Sequence, residues 1–164
     1  MSQVILEIPG VNGECALKDY KDMILCESLS HDLELEIEMS TNARRTVSTA
    51  KINNIALERK WDAASVHLIR RLLRGTAQKE PDKPWIIHCL KALGGENQYV
   101  EFLTMKLTHA ILAKHSLNVN EGDTTESIEI NATKIEWIYA PHDASNTNPG
   151  KHTAEYDSLQ GTVG

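Results

Sequence analysis

The sequence has 164 residues, of which 41% are hydrophobic, and this is enough for one domain with a hydrophobic core. No apolar stretch approaches the ~20 residues that span a bilayer, and a net charge of −6 argues against nucleic-acid binding. We therefore expect neither membrane insertion nor a nucleic-acid partner. The first three residues lack the basic region of a secretory signal, which predicts synthesis in the cytoplasm.

Charge is unevenly distributed along the chain. Residues 1–38 hold nine acidic and two basic residues, residues 39–91 hold eleven basic and four acidic, and residues 92–164 hold ten acidic and four basic. Opposite charges in separate blocks can pair within a monomer. They can also lie on opposite faces of a subunit, where they would favour head-to-tail association.

The N-terminal part predicts three strands. Residues 4–8 place apolar side chains at every second position before Pro9-Gly10, and residues 23–26 form a short apolar run. Residues 31–39 have the clearest period of two, with apolar residues alternating with mostly acidic ones. This pattern predicts that Leu35 lies in a sheet core, and that Glu34, Glu36 and Glu38 are solubilising charges on the opposite face.

The middle of the chain predicts a loop, a strand and a helix. Residues 40–50 are polar and predict an exposed loop that carries Arg44 and Arg45, and residues 51–60 predict a strand. Residues 63–74 predict the helix, with Asp62 at its start and Gly75 at its end. Its apolar face should be buried: Ser65, Leu68, Ile69, Leu72 and Leu73. The other face is basic, and it is either solvated or a contact between subunits: His67, Arg70, Arg71 and Arg74.

The C-terminal half predicts further strands separated by turns. Residues 85–90 and 99–114 should be strands around a hairpin turn at residues 93–97, and residues 118–126 should be a polar loop. Residues 127–139 predict a last strand. Changes of phase within these strands indicate a bulge or a bend at a corner of the sheet.

The predicted fold class is mainly β, with one domain over residues 1–164. Six to nine strands with one helix favour an antiparallel two-sheet sandwich or a partly open β-barrel with one flanking α-helix. Residues 142–164 have no periodicity and predict a loose tail.

No motif predicts chemistry. The seven histidines form no HExxH or HxH pattern, the three cysteines form no CxxC pair, and no GxSxG sequence is present. We therefore expect no enzyme activity, no cofactor, no metal site and three free thiols.

Two blocks carry a resemblance to a known family. Residues 94–107 join a Gly-Gly-Glu-Asn turn to a strand with an aromatic-Leu pair, and residues 128–139 end in an Ile-x-aromatic-x-Tyr pattern before an Asp/Asn/Gly-containing segment. Their order and spacing resemble the C-terminal half of the haemolysin-coregulated protein (Hcp) family, the tube component of type VI secretion systems.

The resemblance implies a structural role. Members of that family form hexameric rings that stack into a tube inside a contractile sheath and leave with a spike for a target cell. The expected partners are thus further copies of the chain, the sheath, the spike and small effector proteins in the lumen. The resemblance also implies a Gram-negative producer, in whose cytoplasm the protein lies before secretion.

The same resemblance places Arg44 and Arg45 in an extended loop that reaches the neighbouring ring. The alternative function is a monomeric β-barrel that binds a small ligand or glycan through Trp61, Trp85 and Trp137.

Overall fold

The computed structural model describes residues 2–40, 42, 44–80, 82–93, 99–141 and 150–164. These residues form antiparallel strands and one helix, so the predicted mainly β class is confirmed. In chain order the elements are β1 (Ser2–Glu7), β2 (Ile24–Cys26), β3 (Ser28–Ser30), β4 (Leu33–Glu34), β5 (Ile37–Met39), β6 (Arg45–Val47), β7 (Lys51–Ile52), β8 (Ile55–Lys60), α1 (Ala64–Arg74), β9 (Trp85–Ala92), β10 (Tyr99–Thr108), β11 (Ile111–Asn120), β12 (Asp123–Asn131), β13 (Lys134–Tyr139), β14 (His152–Asp157) and β15 (Thr162–Val163).

Two large sheets enclose the core. One has seven strands in the order β15-β14-β13-β10-β9-β1-β2, and the other has four in the order β11-β12-β8-β3. Buried residues from both sheets pack into one hydrophobic cluster, which also takes Leu68 from α1. The sheets are not closed into a barrel, because β2 and β15 remain at the edges of the first sheet and β3 and β11 at the edges of the second.

The predicted changes of phase have two physical origins. The one in β10 is a bulge, because the register with β9 shifts between Glu101 and Leu103. The one near Ala132 is a crossing between sheets, so the single strand predicted over residues 127–139 is two strands, β12 and β13, in different sheets. The chain crosses in the other direction at His109, whose φ is +53°.

Two C-terminal predictions are wrong. In the predicted tail, β14 pairs with β13 over six residues and Tyr156 is buried; residues 142–149 lie outside the described residues. The predicted loop at residues 118–126 is largely strand, with only Glu121-Gly122 between β11 and β12. Both segments escaped notice because most of their side chains are exposed or partly exposed, and backbone pairing to an existing strand leaves no hydrophobic periodicity. Residues 94–97 of the turn predicted at residues 93–97 also lie outside the described residues.

The helix begins at Ala64, one residue later than predicted. Asp62 still provides a hydrogen-bond acceptor for the first turn of the helix, because its Oδ1 accepts from the Ala64 N–H at 2.8 Å. The backbone N–H of Asp62 donates in turn to Ser65 Oγ at 3.0 Å. Leu73, predicted to be buried, is 78% exposed. It lies roughly 100° around the axis from the centre of the face formed by Ser65, Leu68 and Leu72, at 3.6 residues per turn.

Candidate assembly surfaces

The described residues 33–40, 42 and 44–52 form a two-stranded ribbon outside both large sheets, which we call the arm. β4 pairs with β7 and β5 with β6, and Ser48 N–H donates to Glu36 O at 2.9 Å between these two short ladders. The period of two over residues 31–39 therefore did predict extended strand correctly.

The prediction that this strand buries its apolar face in a core is wrong. Five apolar side chains of the arm are about half exposed or more: Leu33 57%, Leu35 49%, Ile37 47%, Met39 68% and Val47 51%. At its base, Ile52 is partly buried against the core. An isolated two-stranded hairpin is marginally stable in water, and a contiguous exposed apolar face marks an interaction site. This apolar face is therefore a candidate interaction surface.

Glu34, Glu36 and Glu38 alternate with the apolar residues and are exposed on the opposite face of the arm. Lys51 lies opposite Glu34 in the β4–β7 register, and Thr46 lies opposite Glu38. None of the three glutamates forms an ion pair within the described part of the chain. This acidic face therefore presents unpaired carboxylates to solvent.

Arg44 and Arg45 lie at the tip of the arm. Both are exposed, Arg45 pairs with Met39, and the Ser40 N–H donates to Arg44 O at 2.8 Å. The two cations thus lie near the end of the ribbon that is distant along the chain from its attachment to the sheets.

The base of the arm is fixed to the seven-stranded sheet through β13 and β14. His31 contacts Asn53 O through Nε2 at 3.1 Å and stacks on Trp137 with ring centroids 6.2 Å apart. Tyr156 of β14 donates its hydroxyl hydrogen to Ala50 O at 3.3 Å. Burial lowers the pKa of His31, so the ring is neutral and Nε2 is the donor. These contacts set the direction in which the arm leaves the body.

The basic face of α1 is the second charged surface. His67, Arg70, Arg71 and Arg74 fall within an arc of about 100° around the helix axis at 3.6 residues per turn, and we call them the basic stripe. They line a groove with Gly10, Val11 and Thr76. The Arg71 guanidinium lies 5.7 Å from the centroid of the Trp85 ring, which orients it.

A buried ionic network connects α1 to the smaller sheet. The Arg59 guanidinium contacts the carboxylates of Glu126 and Asp62, and Glu126 also accepts from Ser65 Oγ at 2.9 Å and His115 Nε2 at 2.6 Å. Sequence reasoning missed it, although a signal existed. Arg59 is in phase with buried Ile55 and Leu57, and Glu126 is in phase with buried Ile128 and Ile130.

A second ionic cluster lies on the outer face of the seven-stranded sheet. His88 Nε2 lies 3.0 Å from Glu7 Oε2, its Nδ1 contacts Glu101 Oε1, and the Tyr20 ring packs edge-on against the imidazole at 5.3 Å. Burial alone would lower the pKa of His88, but hydrogen bonds to Glu101 and Glu7 outweigh it and raise the pKa. Both ring nitrogens therefore donate, and the cation anchors the loop that carries Tyr20.

The cysteine thiols and tryptophan rings, which could serve as nucleophiles or ligand-stacking surfaces, are held in the packing of the protein. Burial raises the pKa of Cys26 to about 12 and that of Cys89 to about 11, which keeps both thiols protonated. Trp85 is buried, while Trp61 packs edge-on against His115 and Trp137 packs under His31. The three rings predicted for the ligand-binding alternative are thus each engaged with protein neighbours. Within the described residues, no group of three His, Cys, Asp or Glu side chains could hold a metal ion.

None of the described helical residues forms a segment long and apolar enough to cross a membrane.

Comparison with known proteins places these features in a family. Residues 5–139 match the family described as "Type VI secretion system effector, Hcp". A search of curated proteins found no match. Among solved structures, a "type six secretion system protein" is similar over 100% of both chains, with a TM-score of 0.87 and 16% identity.

Two further structures share the fold. Hcp1 from Salmonella typhimurium has a TM-score of 0.77 at 21% identity, over 99% of this chain and 98% of its own. A type VI secretion system effector from Yersinia pestis has a TM-score of 0.70 at 20% identity, over 94% of this chain and 98% of its own. The family match extends over most of the sequence, so the chain belongs to the Hcp family of secreted type VI secretion system tube proteins.

Proposed function

We propose that this chain is the ring-forming subunit of a type VI secretion inner tube. Residues 1–164 act as one domain, six copies close into a ring, and rings stack into a tube whose lumen carries small effector proteins. The tube forms in the cytoplasm of a Gram-negative producer, within the sheath and under the spike, and is expelled into a target cell. The work is mechanical and requires no catalytic group.

The arm carries this proposal. Its apolar face is about half exposed at four alternating residues from Leu33 to Met39, and a soluble monomer gains nothing from such a surface. A neighbouring subunit can cover it, and a closed ring gives every arm the same cover. Membership of the Hcp family supports the same assignment.

Ring stacking is assigned to the tip of the arm. Arg44 and Arg45 stand exposed at the end of a ribbon whose base is held by His31 and Tyr156. A cationic tip held at a fixed distance from the body suits a contact with an adjacent ring and gives that contact a preferred register.

Negative-stain imaging and light scattering of the full chain test the proposal. Wild-type protein should form rings, and Leu35→Ser with Ile37→Ser should lower the assembled fraction at least about tenfold, because two apolar side chains leave the interface. Leu159→Ser, at an exposed apolar residue in the β14–β15 turn, is the matched control and should assemble as wild type does. A wild-type protein that stays monomeric at every concentration and salt condition would overturn the proposal.

A further inference from the structure

The acidic face of the arm and the basic stripe of α1 are complementary surfaces of the same subunit. The arm presents Glu34, Glu36 and Glu38, and the stripe presents three arginines and His67. α1 contains no acidic residue, so its cations have no carboxylate partner on their own helix. Within the described residues, none of the three arginines forms an ion pair.

The two surfaces also agree in length. Three glutamates at alternate positions of a strand extend over about 13 Å, since a strand rises ~3.3 Å per residue. Residues 67–74 extend over about 10.5 Å of helix axis at 1.5 Å per residue. Each carboxylate can therefore face a cation when the strand lies along the helix.

Within the described part of the chain, neither surface contacts the other or another oppositely charged surface. α1 packs against β11 through its buried face, and the arm's contacts to the body are those at its base. Complementary charge on two separate surfaces of identical subunits generates a head-to-tail contact, in which each subunit uses both surfaces once.

We propose that the acidic face of the arm docks on the basic stripe of α1 in a second copy of this chain. The inference rests on the proposed ring and tube assembly and names the receptor surface for the arm. Apolar contacts on the other face of the arm supply affinity, and the charged contact sets which neighbour the arm accepts and in which register.

Mixing two charge-reversed variants tests this docking directly. One variant carries Arg70→Glu with Arg74→Glu, and the other carries Glu36→Lys with Glu38→Lys. Each alone brings like charges together at the contact, so the concentration for half-assembly should rise at least about tenfold. In an equimolar mixture every acidic arm meets an arginine stripe and every lysine arm meets a glutamate stripe. The mixture should therefore assemble within about threefold of the wild-type concentration.

The controls separate the possible outcomes. Lys18→Glu with Lys21→Glu changes the net charge by the same amount as the helix variant, at exposed loop positions, and should assemble as wild type does. Thermal denaturation followed by circular dichroism should show that all variants keep the fold. Wild-type rings with unimpaired assembly of the helix variant would overturn the docking but not the proposed function, and would leave the stripe to another acidic partner. The docking would also be overturned if each variant assembled poorly and mixing the two did not restore assembly. A wild-type protein that stays monomeric would overturn both the docking and the proposed function.

Discussion

Removing the buried Glu126 carboxylate should destabilise the monomer far more than removing a partly exposed carboxylate on the same strand. Glu126 is buried and accepts from Arg59, Ser65 and His115. Glu126→Ala leaves all three donors without this acceptor, and Arg59 keeps Asp62 Oδ2 at 2.6 Å and Leu25 O at 3.3 Å. Breaking a buried ion pair by removing one partner costs about 3–5 kcal/mol, and the remaining contacts of Arg59 favour the lower end.

Urea denaturation below the assembly concentration measures this loss. For an m value of about 2 kcal/mol per molar, a loss of about 3 kcal/mol lowers the midpoint by about 1.5 M. Glu129→Ala, which removes a partly exposed partner of the exposed Lys114 at 3.7 Å, should cost under about 1 kcal/mol. Equal losses in the two variants would refute the argument, because burial would then make no difference to the carboxylate.

Three further predictions concern the arm and the outer ionic cluster. Leu35→Asp should leave the thermal midpoint of the monomer nearly unchanged and should abolish rings in negative-stain images, since the side chain is half exposed in the monomer; loss of the folded monomer would contradict this. Arg44→Glu with Arg45→Glu should leave single rings intact while shortening stacked tubes in the same images, and tubes of unchanged length would discard the stacking role. The raised pKa of His88 means that its charged form stabilises the fold fully below the ordinary pKa of about 6.5, and that this contribution is lost as the pH rises through the folded-state pKa. The urea midpoint of wild type should therefore fall more between pH 6 and pH 9 than that of His88→Gln, and parallel pH profiles would refute the assignment.

The sequence predicted strands and their burial best where the apolar face of the strand packs against the core of the same chain. β8 and the first five residues of β9 bury alternate residues against the core of the monomer, so their periodicity reported both the strand and its burial. The arm has the clearest periodicity of all, yet its apolar face is open. A period of two predicts that one face of a strand is apolar and packs against another apolar surface. It does not indicate whether that surface belongs to the same chain.

The missed elements depend on contacts that lie far apart in the sequence. β14 is held by its ladder to β13, and Tyr156 is its only buried side chain. Arg59 and Glu126 are separated by 67 residues, and only the β8–β12 pairing brings them together. Arg59 and Glu126 are each in phase with buried apolar neighbours, and this local pattern indicates that both are buried. It does not identify the oppositely charged partner that makes burial of a charge tolerable.

The molecular mass of the purified full chain in solution tests the central claim, that assembly through exposed surfaces is the activity. Sedimentation over a concentration series should show a ring of six 18.3 kDa subunits, about 110 kDa, and larger stacked species at higher concentration. An 18.3 kDa particle throughout the series would contradict it.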